Sequence, residues 1–119
     1  YRVRALDGHI CNSLAEKAID DWLFLHGIEH EKEPPYPNSV REHCGANVRA
    51  DWRVGSTYIE YFGLQSMDEY ARKTALKVQG CGRHGVSLLA IYPGDEFKLN
   101  DVLSTLMAGH QPSNVKGQP

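Results

Sequence analysis

Residues 48–54 and 57–62 are two short runs rich in β-branched and aromatic side chains, separated only by Gly55-Ser56. A two-residue loop with glycine first is the signature of a type II′ hairpin turn. Such a loop pairs Val54 with Thr57 and fixes every other pair of the two strands. Carried inward, that register sets Asp51 opposite Glu60, with both side chains on the same side of the sheet. Directly opposed Cβ atoms lie roughly 4.5–5.5 Å apart, and like charges at that spacing destabilise a sheet. A cation between the carboxylates removes the conflict. Hard oxygen ligands favour Mg²⁺ or Mn²⁺, so the hairpin predicts a divalent-metal site.

Periodicity orders the remaining elements. A helix is expected from Asn12 or Ser13 to about His26, with apolar Leu14, Ala15, Ala18, Ile19, Trp22, Leu23 and Leu25 and Gly27 as its C-cap. A short strand over 28–32 leads into the extended, proline-rich 33–37, and 38–45 reads as a polar loop. After the hairpin, 65–78 predicts a charged helix ended by the Gly80-Cys81-Gly82 break. The run 86–92 is nearly all apolar, as a strand covered on both faces is, and 99–107 gives a last short helix. The expected fold is α/β, α-β-β-β-α-β-α, with a mixed central sheet flanked by helices. Trp22 and Trp52 are expected in the core.

The chain has 119 residues, enough for one domain with a real core. Residues 1–108 are expected to form it, with 109–119 a flexible tail or linker. A formal charge of −2 gives no overall basic field for nucleic acid. Three cysteines without regular spacing suit a reducing compartment rather than a disulfide framework. Without an 18-residue apolar run or a signal peptide, the expectation is a cytoplasmic or nucleoid-associated protein with no membrane partner. A start at Tyr1 suggests one module of a larger multidomain protein.

With that element order, Glu16, Asp51 and Glu60 resemble the PD-(D/E)XK nuclease superfamily, the restriction-endonuclease-like fold, over about residues 9–107. The similar members are small putative endonuclease domains with a helical S-x-x-E, an A-D-W segment, I-E-Y-aromatic-G and Y-x₆-K. The resemblance implies a metal-dependent deoxyribonuclease, a phosphodiester hydrolase that uses Mg²⁺ or Mn²⁺. It assigns Asp51 and Glu60 as metal ligands, the Tyr61 backbone carbonyl as a third, and Glu16 as a ligand directly or through water. The family's lysine position is occupied here by Phe62. In some branches that lysine lies on the following helix, where Tyr70, Lys73 and Lys77 share a face. Lys77 is then the expected catalytic lysine and Lys73 its alternative. A metal-activated water and a lysine beside the phosphate supply the chemistry. Duplex cleavage would call for a homodimer or two sequential nicks. DNA contacts are expected from Lys73, Arg72, Arg83, His84, Arg49 and Arg53.

Plainer readings stand beside these. Ser13 and Glu16 make a capping box. Asp51, flanked by Arg49 and Arg53, fits an exposed ion-pair ladder. Lys73 fits a solvated helix face. Glu60 is harder to dismiss, because an acid in an aromatic strand needs a partner. His43-Cys44 with Cys81-x₂-His84 could in principle form a zinc site, and a cysteine–histidine nucleophile pair is a further arrangement on paper. The runner-up function is a catalytically inactive nuclease-fold module that binds DNA or docks within a larger repair or helicase protein. A hydrolase of other phosphate esters, or of RNA, is the third.

Overall fold

The computed structural model describes residues 2–63 and 68–110. The chain opens with a small hairpin of β1 (Val3–Arg4) and β2 (Ile10–Cys11), Val3 facing Cys11. Helix α1 (Leu14–Leu25) starts where expected, with the Ser13 hydroxyl accepting from the Glu16 N–H. It ends in a Schellman turn. Gly27 takes φ +67°, its N–H reaches Phe24 O, and the Ile28 N–H reaches Leu23 O.

Next come β3 (Glu31–Lys32), α2 (Asn38–Cys44), β4 (Trp52–Val54) and β5 (Thr57–Tyr61). Then follow α3 (Asp68–Arg83), β6 (Ser87–Ile91), a 3₁₀ turn at Asp95–Phe97, α4 (Leu99–Val102) and α5 (Ser104–His110). The main sheet runs β3-β4-β5-β6, antiparallel except for the parallel β5–β6 pair joined through α3. The molecule is therefore a mixed α/β domain. No helix among the described residues is long and apolar enough to cross a membrane.

Two apolar cores lie on opposite faces of this sheet. Ile19 and Leu23 of α1 pack with Trp52, Ile59, Ile91, Leu103 and Leu106. On the other face Val40 of α2 and Cys81 of α3 pack with Tyr36, Ala50 and Tyr58. Tyr58 and Ile59 divide between the faces as adjacent strand residues must. Trp52 is fully buried, whereas Trp22 is only half-buried and donates its indole N–H to Asn100.

Four expectations are corrected. Residues 38–44 form a helix, not a loop, and Gly80-Cys81-Gly82 lies inside α3, which continues to Arg83. One observation explains both. A Cβ at Gly80 would stand 3.1 Å from His43 Cδ2 and 3.3 Å from Cys44 Sγ. Gly80 is thus the notch that lets α2 pack on α3. The stop signal for α3 is Gly85, at φ +67°, where the Val86 N–H bonds back to Cys81 O. The β1–β2 hairpin adds an element not expected, because two-residue strands leave no alternation to read. The final helix is split into α4 and α5 at Leu103. The expected helix start at Gln65 and the tail beyond residue 110 lie outside the described residues.

Candidate functional site

The hairpin has the expected register over Trp52–Ile59, Arg53–Tyr58 and Val54–Thr57, with Gly55 at φ +57°. It departs at Asp51. There the N–H donates to Ile59 O at 3.1 Å, one residue out of step, while the Tyr61 N–H turns to the Asp51 carboxylate at 2.8 Å. The shift inverts the pleat. Val48 and Ala50 face one core, whereas Trp52 and Val54 face the other. On the neighbouring strand Glu33 donates to Asp51 O and takes φ +55°, a left-handed conformation in a residue with a Cβ. This is the behaviour of a β-bulge, which bends a strand and re-aims one side chain. Asp51 is therefore not paired opposite Glu60. It leaves the ladder and turns its carboxylate across the strand end.

That carboxylate enters a cleft of about 520 Å³ whose lining includes Glu16, Asp51, Glu60, Tyr61, Lys73 and Lys77. Four separate segments deliver these groups. Glu16 comes from the first turn of α1, where its Oε1 also accepts from the Asn12 N–H at 3.1 Å. The capping box and the cleft position coexist. Glu60 comes from the central strand β5, which is buried on both faces. Lys77 comes from α3, its ammonium 3.1 Å from Glu60 Oε1 and 2.9 Å from Oε2. Tyr36 donates its hydroxyl to Glu60 Oε2 at 2.5 Å. The aromatic-strand acid has the partners its burial demands.

The cleft is short of positive charge. Burial raises Asp51, and the charges of Glu16 and Glu60 raise it further, to about 7. One backbone N–H and the more distant Lys32 do not compensate. Burial also raises Glu60, against the pull of Lys77 and Tyr36. Three hard-oxygen acids facing one cleft suit Mg²⁺ or Mn²⁺, and Asp51 has the carboxylate least supplied with donors. The three do not themselves close into a tight donor cluster.

Lys32 is a second cation that the sequence reading passed over. Its Nζ is buried with no hydrogen-bond partner among the described residues, 3.9 Å from Glu16 Oε1 and 5.0 Å above the Trp52 ring. The signal was its place in the pleat, directly opposite Trp52.

Lys73 also lines the cleft. It is exposed, 3.5 Å from Glu69 Oε2 and over the Tyr70 ring. Phe62 is buried, its ring 5.9 Å from that of Tyr92. Arg49 is exposed and donates to Glu33 O. Arg72 is an exposed residue of α3, and Arg83 and His84 stand exposed at that helix's far end. Arg53 pairs with Glu31 and lines a different cavity.

The cysteine alternatives lose their chemical basis. Burial pushes the Cys11 and Cys81 thiols up to about 11 and raises Cys44 as well, so none is a ready thiolate. Cys44 donates to Leu76 O, and His43, Cys44, Cys81 and His84 do not gather into a ligand group. No family model, characterised protein or solved structure matches the chain.

Proposed function

We propose that this chain is a PD-(D/E)XK-like nuclease domain that hydrolyses DNA phosphodiester bonds with Mg²⁺ or Mn²⁺. The observation that carries the reading is the convergence of Glu16, Asp51, Glu60 and Lys77, from four segments, on one cleft. Lys77 reaches Glu60 although Phe62, two residues after Glu60, is apolar. The ion pair between Lys77 and Glu60 supports Lys77 as the lysine supplied from the following helix.

Asp51 and Glu60, with the Tyr61 carbonyl, would hold the divalent ion, and Glu16 would bind it directly or through water. When bound, the ion supplies charge neutralisation at a phosphate and an acidified water. The residues do the rest. Tyr36 holds one Glu60 oxygen by a 2.5 Å hydrogen bond and so fixes the carboxylate's orientation. Lys77, half-buried against Glu60, places an ammonium where charge develops on a phosphate oxygen and where it can orient the attacking water. Phe62 and Tyr61 exclude bulk water, which strengthens both effects. Lys73 at the exposed rim offers the neighbouring phosphate a cation.

One observation favours a second reading. Lys77 spans both Glu60 oxygens and Tyr36 takes a further lone pair, which leaves Glu60 well satisfied without a metal. The same architecture would then serve as a catalytically inactive DNA-binding module.

The test is cleavage of supercoiled plasmid and a panel of nicked, flapped and branched DNA in Mg²⁺, Mn²⁺ and EDTA. Metal-dependent nicking by wild type, lost in folded Asp51→Ala and Lys77→Ala, establishes the nuclease. Binding to DNA without cleavage, equal with and without metal, establishes the inactive module.

A further inference from the structure

A second polar cluster lies away from the cleft, where the β1–β2 hairpin meets α1 and the segment before β3. Asp7, His9, Asp20 and His30 each present one donor atom, and the four atoms lie within 4.8 Å of one another. We propose that this cluster is a structural Zn²⁺ site.

The spacing is that of a small tetrahedral shell. His9 Nδ1 lies 3.0 Å from both Asp7 Oδ2 and Asp20 Oδ2, and His30 Nε2 lies 2.9 Å from Asp7 Oδ2 and 3.5 Å from Asp20 Oδ1. Zinc arms of ~2.0–2.1 Å give tetrahedral edges of about 3.3–3.4 Å, so the three shorter contacts would open by a few tenths of an ångström around an ion, within a group whose four donor atoms lie inside 4.8 Å. Two imidazoles and two carboxylates make a borderline donor set, suited to Zn²⁺ rather than to the hard ions proposed for the cleft.

The supporting shell points the same way. His30 Nδ1 lies 2.8 Å from Ile28 O, a backbone acceptor that takes a proton from this nitrogen. Nε2 is then free to present its lone pair to the cluster, the arrangement typical of a metal-bound histidine. That lone pair would face two carboxylates, a repulsive contact relieved either by a proton on Nε2 or by a cation between them. Asp20 is fully buried, and the Trp52 indole donates to its Oδ2 at 2.9 Å from behind. Its Oδ1, also buried, has no hydrogen-bond partner among the described residues, the nearest cationic nitrogen being His30 Nε2 at 3.5 Å. Asp7 is oriented by the hairpin turn, where its Oδ1 accepts from the His9 N–H.

Access is available on one side. Asp7, His9 and His30 line an open cavity of about 580 Å³, and the His9 side chain is 34% exposed. Four protein ligands leave no open coordination position, which marks a structural site rather than a catalytic one. Its role would be to fasten the β1–β2 hairpin to α1. The proposal is independent of the nuclease reading.

The full chain, stripped with chelator, is titrated with Zn²⁺ against a chromophoric competitor and then with Co²⁺ as a spectroscopic substitute. The expected result is one ion per chain, a visible spectrum of tetrahedral Co²⁺, and a rise in melting temperature. His9→Ala, at a half-exposed ligand, should fold and bind Zn²⁺ more than about 100-fold more weakly, and His30→Gln should do the same. Asp51→Asn should bind Zn²⁺ like wild type. No binding by wild type overturns the proposal and leaves a cluster closed by protonated histidines alone. Binding that survives both histidine changes but fails in Asp51→Asn also overturns it, because the ion then belongs to the cleft.

Discussion

Two aspartates, half-buried Asp51 and fully buried Asp20, meet opposite fates in this molecule. Burial alone would raise both. Asp51 rises to about 7, because Glu16 and Glu60 add their charges to the effect of burial and the Tyr61 N–H and Lys32 do not offset them. Asp20 falls well below the ordinary carboxylate range, because its contacts with the donors of His30, Trp52 and His9 outweigh its burial. The difference lies in donors, not in depth. Asp51, starved of donors, is poised to take a hard cation in the cleft, whereas the donors around Asp20 keep it charged within the cluster beneath the hairpin.

The largest effect that would break this contrast is on chemistry. Asp51→Ala and Lys77→Ala should each reduce DNA cleavage by at least about 10²-fold while retaining a cooperative melt. Loss of folding rather than rate in Asp51→Ala would make Asp51 another scaffold residue.

Next in size is Asp20→Ala. Removing a fully buried carboxylate leaves the Trp52 indole without its acceptor and His9 and His30 with the Asp7 carboxylate alone, and should destabilise the fold by ~3–5 kcal/mol. Urea denaturation in chelator reads this directly. A cost comparable to that of a surface substitution would end the claim that the donors define the site.

The pH dependence separates the two clusters. The folded pKa of Asp51 is raised from an ordinary 3.8 to about 7, so the native state holds a proton the unfolded chain has lost. Its contribution to stability therefore falls as pH rises from about 4 to 7 and is level above. His30 rises from 6.5 to about 9, because its bonds to Asp20 and Ile28 O and the charges beside it overcome burial. Its contribution is complete below 6.5 and is lost as pH rises towards 9. In chelator, Asp51→Asn should flatten the lower window and His30→Gln the upper one.

The smallest effect sharpens the contrast most. At pH 8 in chelator, Asp51→Asn should be more stable than wild type by ~1–2 kcal/mol, a rise of about 5–10 °C in Tm. The asparagine amide still accepts from Tyr61 but carries no charge against Glu16 and Glu60. A variant that loses cleavage while gaining stability is expected only of the donor-starved aspartate.

The sequence made the cleft more legible than the cluster, and the reasons are physical. A two-residue turn fixes a register, so Asp51 and Glu60 could be brought near each other by counting. Counting could not show the slip at Asp51, because that bulge is set by Glu33 on the neighbouring strand and by the two cores. Helix spacing put Tyr70, Lys73 and Lys77 on one face, and all three line the cleft because α3 is regular there. Its end was misread because Gly80 serves packing against α2 rather than termination. Helix α2 has one buried residue, Val40, and so almost no periodicity of its own. The Asp7, His9, Asp20 and His30 donors come from a turn, a helix and a loop, with no motif spacing. The available signal was within α1. Its buried positions are Glu16, Ile19, Asp20 and Leu23, and acids on an apolar stripe need partners elsewhere. Glu16 serves the cleft and Asp20 the cluster.

Asp51 and Trp52 are covalent neighbours, one aimed into the cleft and the other bonded to Asp20 behind it. The protein therefore carries its own fluorophore between the two centres. Trp52 is buried with its indole N–H on Asp20, while Trp22, half-buried and stacked on His26 at 3.9 Å, looks away towards Asn100. In a Trp22→Phe background, the emission of one indole follows the protonation and metal occupancy of the cluster at its tip, and a divalent ion beside Asp51 acts on the same ring through its backbone. Titrating one centre while watching Trp52, then repeating with the other filled, measures how strongly the two communicate without any added label.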